Sequence, residues 1–257
     1  MTSPAGRSDR GFRFVAEFLV IIVGVLAALA VDQWRESRSD RELEREYLQR
    51  LEADLEETQE SIVRTAADFE RLVEHGTAVS RVLDGSAPFP PDTLGFLASA
   101  LQVSRGGYDP AVSRGAYDDL ISTGNLRVLE NETLRYRLSA FYGQVMNDLS
   151  PIDYAADKMP YRNTVRGLLS LETQLLIRAS CDGVEPLTCP GQSGAGGYGR
   201  TVEAILGSAR IRPELTVALQ GMAIRTLAEG VTGGFTPVLL EIDDLLARIE
   251  AELGGGR

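Results

Sequence analysis

The chain has 257 residues, of which 44% are apolar and 25% are charged. This composition suits one large folded domain or two small ones and argues against global disorder. The formal net charge of −11 opposes contact with a phosphate backbone, so we expect no nucleic-acid partner.

The first predicted element is an apolar helix from Phe14 to Val31, with the sequence FVAEFLVIIVGVLAALAV. At about 1.5 Å per residue it would extend about 27 Å, enough to cross the hydrocarbon core with help from its flanks. Its one charged residue, Glu17, follows Arg13 by one turn and can pair with it. Trp34 lies past the other end, where an indole favours the membrane interface. We predict a short basic cytoplasmic N-terminus over 1–13 and a transmembrane helix over 14–34, with Arg13 and Trp34 as interface anchors.

Two features of this segment have alternative interpretations. Gly24 and Ala28 form a small-xxx-small pair, which with Glu17 predicts contact with another membrane helix; the alternative is simple composition, with Glu17 at headgroup depth. A cleaved signal peptide is the rival of the anchor, with cleavage after Ala30. The helical pattern continues past Ala30, which favours the anchor.

The two cysteines indicate on which side of the membrane the bulk of the chain lies. Cys181 and Cys189 are the only two, in the stretch CDGVEPLTC. The spacing excludes a CxxC redox pair, and no His lies close enough in sequence for a zinc site. A disulfide closing a short loop is the preferred interpretation and two free thiols the alternative. If the disulfide forms, the domain over 35–257 lies outside the cytoplasm and the N-terminus lies inside. For a single-pass protein of a bacterial inner membrane, this means a cytoplasmic N-terminus and a periplasmic domain.

A long helix is predicted over 35–84, because a heptad seam runs through it. A seam of this kind forms a coiled coil between chains or a buried stripe within one bundle, and its polar positions favour the bundle. The seam comprises Leu48, Leu51, Leu55, Thr58, Ile62, Thr65, Phe69, Leu72, Gly76, Val79 and Leu83.

The rest of the chain is predicted to be helical, since no extended stretch alternates apolar and polar residues with the period of a β-strand. After a break at 84–92 we expect helices across 92–180, a Cys/Gly-rich loop at 181–199 and C-terminal helices across 200–253. Gly124 is the expected left-handed cap of one helix and Asn131 the N-cap of the next. The predicted fold class is therefore all-α, with the membrane helix continuing into a helix of an extramembrane bundle.

A local duplication is the one candidate recognition feature. VSRGGYD (Val103 to Asp109) and VSRGAYD (Val112 to Asp118) match at six of seven positions. Two turns of this kind can offer a recognition surface, and chance similarity is the alternative. The candidate residues are Arg105, Tyr108, Asp109, Arg114, Tyr117 and Asp118.

No catalytic, metal or cofactor signature is present in the sequence. His75, the only histidine, is predicted to be solvated beside the acidic face of the long helix, and no nucleophile elbow, Walker loop or dinucleotide fingerprint occurs. Adjacent carboxylates such as Asp118 and Asp119 point about 100° apart on a helix and are more often surface residues.

The stretches EFLVIIVGVLAALAVDQWRESR, EYLQRLEADLEE and LISTGNLRVLENETLRYRLSAFY resemble a family of uncharacterised bacterial single-pass membrane proteins, a domain-of-unknown-function family. The resemblance covers about a third of the chain and is strongest around Glu17, Gly24, Ala28, Asp32 and Trp34. The chain departs from the family's pattern at Gln33 and Ala30. The resemblance implies an N-terminal anchor and a helical extramembrane domain, and it implies no activity.

The sequence thus favours a non-enzymatic scaffold or accessory subunit. Its expected partners are the lipid bilayer, other membrane proteins of a larger assembly and a second copy of the chain, and no cofactor is expected. The alternative is a ligand-binding or sensor ectodomain, motivated by the paired turns. A carboxylate- or metal-dependent enzyme is the third hypothesis.

Overall fold

The computed structural model describes residues 8–106, 109–149, 154–181, 183–189, 198–226 and 235–255, with side chains for all of these except 8–17, 20, 21, 146–148, 154–158 and 224–226. Within these ranges the chain is helical and holds no strand, which confirms the all-α fold class. The helices are α1 (Ser8–Leu83), α2 (Thr93–Arg105), α3 (Gly115–Ser122), a short 3₁₀ helix (Asn125–Val128), α4 (Glu132–Leu149), α5 (Tyr154–Leu168), α6 (Leu171–Ser180), α7 (Gly199–Gly207), α8 (Ile211–Thr226) and α9 (Thr236–Gly255).

Helix α1 organises the bundle. It is continuous over 76 residues, which corresponds to a length of about 114 Å. Its C-terminal half packs against α8, α2 and α9, while α5 packs on α8 and α2, and α4 packs on α9. Among the side chains of α1 that are described, the first buried one is that of Tyr47. The N-terminal part of α1 therefore extends beyond the bundle.

The heptad seam of α1 is the buried stripe of this bundle. Leu51, Leu55, Ile62, Phe69 and Val79 are each fully buried against helices of the same chain. The intramolecular interpretation of the seam is confirmed, and no second chain is needed to cover it.

The two polar seam residues, Thr58 and Thr65, are buried as well, and Thr58 forms hydrogen bonds that position the segment before α3. The Thr58 hydroxyl donates to the carbonyl oxygen of Asp54 at 2.8 Å and accepts the Ser113 N–H at 3.0 Å. A threonine at a core position thus satisfies its hydroxyl and docks the segment before α3 at the same time.

Most predicted helix boundaries agree with the structure. Gly124 has φ +72°, the expected left-handed conformation, and the Leu134 N–H donates to Asn131 Oδ1 at 3.0 Å, as an N-cap requires. Within the range 92–180, where helices are predicted, a break separates α5 from α6: Ser170 caps α6 by accepting the Thr173 N–H at 3.2 Å. Residues 190–197 of the predicted Cys/Gly-rich loop lie outside the described residues.

Candidate functional site

The exposed apolar part of α1 is the feature that points most directly to a function. Between residues 18 and 34 every side chain that is described is exposed. At 3.6 residues per turn these positions occupy all sides of the helix. A helix that is apolar all round belongs in a protein core or a membrane, and here the bundle does not cover it. The large apolar side chains are Phe18, Leu19, Ile22, Val23, Val25, Leu26, Leu29, Val31 and Trp34.

Among the side chains that are described, no helix offers an 18-residue stretch apolar enough to cross a membrane. The predicted anchor, Phe14 to Val31, includes residues 14–17, 20 and 21, whose side chains fall outside that set. Arg13 and Glu17 fall outside it too, so their predicted pairing and roles stay predictions.

The face of α1 formed by Gly24 and Ala28, called the small face below, is predicted to contact another helix and is not covered by the described bundle. A Cβ atom added at Gly24 would meet nothing within 4 Å, and Ala28, one turn later, is exposed. No part of the described bundle occupies the space next to this pair. The face is therefore accessible to a second helix at close approach.

A groove follows directly after the apolar segment. It is lined by Ala30, Gln33, Trp34, Ser37, Arg38 and Arg41. The Arg38 guanidinium lies 5.9 Å from the centroid of the Trp34 ring, within the range of a cation–π interaction. Arg38 Nε also donates to Glu42 Oε1 at 3.3 Å, in a pair whose two side chains are about two-thirds exposed. The groove thus combines an indole with cationic groups at the end of the apolar helix.

A disulfide joins Cys181 to Cys189, which confirms the predicted pairing, and both residues are buried. The loop that it closes lies on the N-terminal half of α2. The Cys189 N–H donates to Asp92 Oδ2 at 2.7 Å, while Asp92 Oδ1 caps α2 by accepting the Gly95 N–H at 2.8 Å. The loop approaches Gly95 so closely that an added Cβ would lie 2.3 Å from the Leu187 carbonyl oxygen.

His75 lies behind this loop and is buried, so the prediction that it is solvated is wrong. Its Nδ1 lies 3.0 Å from Ser99 Oγ, and Ser99 Oγ accepts the Leu187 N–H at 2.7 Å. The serine hydroxyl proton is therefore available to Nδ1, and the ring also interacts with the backbone of Val184. Burial lowers the pKa of His75, which favours the neutral ring that this pattern requires.

The His75–Ser99 pair resembles part of a hydrolase site only in its atom types. Ser99 is fully buried, and its hydroxyl is engaged on both sides by the loop and the ring. A nucleophile must reach a substrate, and this one is covered. The pair instead ties α1, α2 and the disulfide loop together. Sequence reasoning missed it because its members are distant along the chain.

The two VSRGxYD segments do not form equivalent turns. The first ends α2, where the Ser104 hydroxyl donates to the Leu101 carbonyl within the helix. The second starts α3, where Asp54 of α1 accepts the Ala116 N–H at 2.7 Å. The same sequence therefore ends one helix and begins another.

The predicted recognition residues have different structural roles. Tyr117 is buried and stacks on Tyr142 with 4.6 Å between ring centroids. Arg114 pairs with Asp118 at 2.8 Å. Arg105 Nη1 donates to Gln102 at 3.1 Å, Asp109 is exposed, and Tyr108 lies outside the described residues.

The adjacent carboxylates proposed for an enzyme have separate partners. Asp118 pairs with Arg114, and Asp119 pairs with Arg50 at 2.9 Å. In the described part of the chain, no group of three or more His, Cys, Asp or Glu side chains is placed to hold a metal ion.

A cleft of about 490 Å³ lies between α4 and α9, with Phe141, Val145 and Val238 among its apolar lining and Glu241 on its rim. Arg137 bridges from α4 to Glu241 and to Asp244 of α9.

No protein-family model, curated protein or solved structure matches the chain. The resemblance to the family of uncharacterised membrane proteins stays a prediction.

Proposed function

We propose that the protein is a non-enzymatic, membrane-anchored helical scaffold that serves as an accessory subunit of a larger membrane assembly. The observation that carries the proposal is the exposure of apolar side chains on all sides of α1 between residues 18 and 34. Soluble monomers rarely expose contiguous apolar patches above a few hundred Å². A bilayer is the environment that covers every side of one helix.

The disulfide supports the proposed orientation. The bond between Cys181 and Cys189 is of the kind that persists in oxidising compartments and is rare in the cytosol. We therefore assign the bundle to the periplasmic side of a bacterial inner membrane and the N-terminus to the cytoplasm.

The open small face supports a role as a subunit. Gly24 and Ala28 leave room for a second helix to approach the α1 backbone within the bilayer. Within the bundle, the candidate catalytic groups are already engaged: Ser99 and His75 hold the disulfide loop. These features favour assembly over chemistry.

Alkaline carbonate extraction tests the anchor. Replacing Val23 and Leu26 with arginine places two charges in the apolar segment, at about 2.5 to 3.5 kcal/mol each near a membrane helix centre. We expect V23R/L26R to be released from membranes while the wild type stays. The matched control replaces Val63 and Leu240, which are exposed in the bundle, and V63R/L240R should stay. Release of the wild type would refute the anchor.

Purification from native membranes in mild detergent tests the subunit role. We expect the wild type to co-purify with another membrane protein, and Gly24→Leu to lose it because the added side chain blocks the small face. Val25→Leu changes a neighbouring residue of α1 and should keep the partner. A wild type that purifies as a solitary monomer would contradict the proposal.

A further inference from the structure

We infer that the groove formed by Trp34, Arg38 and Arg41 binds the phosphate of an anionic phospholipid headgroup; this inference rests on the proposed membrane anchor. The groove starts where the apolar segment ends and is lined by all three side chains. It therefore lies at the level where lipid headgroups meet the helix.

The charges of this groove share one face of α1. With about 100° of rotation per residue, Trp34, Arg38 and Arg41 fall within an arc of about 60°. The neighbouring carboxylates Glu42 and Glu44 fall outside that arc, one on either side. The face that continues the apolar segment is therefore cationic, although the protein as a whole carries a net charge of −11.

The direction of the side chains favours the bilayer. In an α-helix the Cα–Cβ bonds tilt toward the N-terminus, which here is the side of the apolar segment. Arg38 shows the result, since its guanidinium lies over the Trp34 ring one turn earlier. Long arginine side chains of this kind keep their charge at the interface while their stems follow the apolar surface.

The guanidinium groups are available for a ligand. Arg38 pairs with Glu42 across 3.3 Å at an exposed position, and such surface pairs contribute little. Arg41 is exposed. A guanidinium binds phosphate through two parallel N–H donors. The phosphatidylglycerol headgroup has a net negative charge and lacks the ammonium group by which phosphatidylcholine would repel the arginines.

The acidic surroundings limit the site to these three residues. Arg41 and Arg45 both border a hollow with Glu44, Glu130 and Glu252 at the end of the bundle, but only Arg41 also lines the groove with Trp34 and Arg38. Glu44 accepts the Glu130 N–H there at 2.6 Å. A lipid phosphate would be repelled by these carboxylates, so the proposed site ends at Arg41.

Trp34 makes a direct test possible because it is the only tryptophan in the chain. The full chain is reconstituted in vesicles of phosphatidylcholine with a minor fraction of phosphatidylglycerol, and bromine quencher is carried either by one lipid or by the other. The ratio of the two quenching efficiencies gives the share of anionic lipid next to Trp34. We expect the ratio of anionic to zwitterionic lipid next to Trp34 to exceed the bulk ratio by about fivefold per arginine that contributes.

The variants decide the outcome. R38Q/R41Q should reduce the anionic share to the bulk value. The control R64Q/R81Q removes the same charge at exposed positions of α1, about 39 Å or more beyond Arg38, and should keep the excess. An excess that survives in R38Q/R41Q, or that disappears equally in the control, overturns the site.

Two further results separate the site from the anchor. Quenching of the wild type by both lipids in proportion to their bulk shares overturns the headgroup site and leaves the anchor intact. Absence of quenching by either lipid overturns both. Loss of the excess on adding inorganic phosphate, against sodium chloride of equal ionic strength, would show a general anion site and overturn the lipid assignment.

Discussion

Replacing Gly95 with alanine tests how tightly the disulfide loop is docked on α2. The new Cβ would lie 2.3 Å from the Leu187 carbonyl oxygen and 2.7 Å from the Thr188 amide nitrogen. Both are backbone atoms, so no side-chain rotation relieves the contact. The loop or the helix must move as a unit.

The cost of that movement follows from what holds the loop. Lifting it breaks the hydrogen bonds from Leu187 N–H to Ser99 and from Cys189 N–H to Asp92, at about 1 to 2 kcal/mol each when buried groups lose their partners. Alanine in a helix returns about 1 kcal/mol relative to glycine. We expect the free energy of unfolding to fall by roughly 1 to 3 kcal/mol.

The assay is urea unfolding of the full chain in detergent, followed by circular dichroism with the disulfide intact. Gly143→Ala is the matched control, because Gly143 is exposed within α4 and an added Cβ would meet nothing within 4 Å. This variant should gain about 0.5 to 1 kcal/mol. A Gly95→Ala protein as stable as Gly143→Ala would refute the docking geometry.

Three further predictions concern buried groups of the same bundle. Burial lowers the pKa of His75 below its ordinary 6.5, so the unfolded chain binds the proton first as pH falls. The stability that the neutral buried ring contributes to the fold is therefore present above about pH 6.5 and is lost as the pH falls below it. His75→Gln should flatten the dependence of unfolding free energy on pH in that window, and an unchanged slope would count against the buried neutral ring. Tyr161→Phe removes a buried hydrogen bond of 3.0 Å to a carbonyl of α2 and should lower the free energy of unfolding by about 1 kcal/mol. Tyr142→Phe removes a buried hydroxyl with no partner in the described part of the chain and should be neutral or stabilising. Urea unfolding of both variants checks this order, and a larger loss of stability in Tyr142→Phe would be inconsistent with these contacts. Reduction of Cys181–Cys189 should lower the free energy of unfolding by roughly 2.5 kcal/mol for a loop of this length, and a double serine variant should match the reduced protein; equal stability of oxidised and reduced forms would contradict a structural role.

The features that were predicted from the sequence are those with a local signal. The heptad repeat of α1 specifies its buried stripe, because side chains seven residues apart share one helix face. Gly124 and Asn131 mark helix ends by their own conformational and hydrogen-bonding preferences. The disulfide followed from there being only two cysteines, a short distance apart.

The features that were missed depend on residues far apart in sequence. His75 lies mid-helix next to an acidic face and was predicted to be solvated, yet it adjoins Gly76 of the seam, and its partners Ser99 and Val184 come from other elements. Asp54 belongs to that acidic stretch too, and it serves as a distant cap for α3. Nothing local distinguishes such side chains from solvated ones.

The duplicated VSRGxYD segments show the opposite error, a local signal without structural meaning. Identical residues adopt different conformations because the first copy completes a helix that began at Thr93, whereas Asp54 holds the second at a helix start. Context from α1 decides the conformation, and sequence similarity alone does not.

The proposed function requires that one helix crosses the membrane, with the residues before it and the bundle on opposite sides. Single cysteines introduced at Ser8 and at Arg64 test it with a membrane-impermeant maleimide on intact spheroplasts. The wild type should give no labelling, because its cysteines are joined. We predict that R64C is labelled in intact spheroplasts and that S8C is labelled only after lysis. Labelling of both variants before lysis, or of neither, would contradict a membrane-spanning anchor.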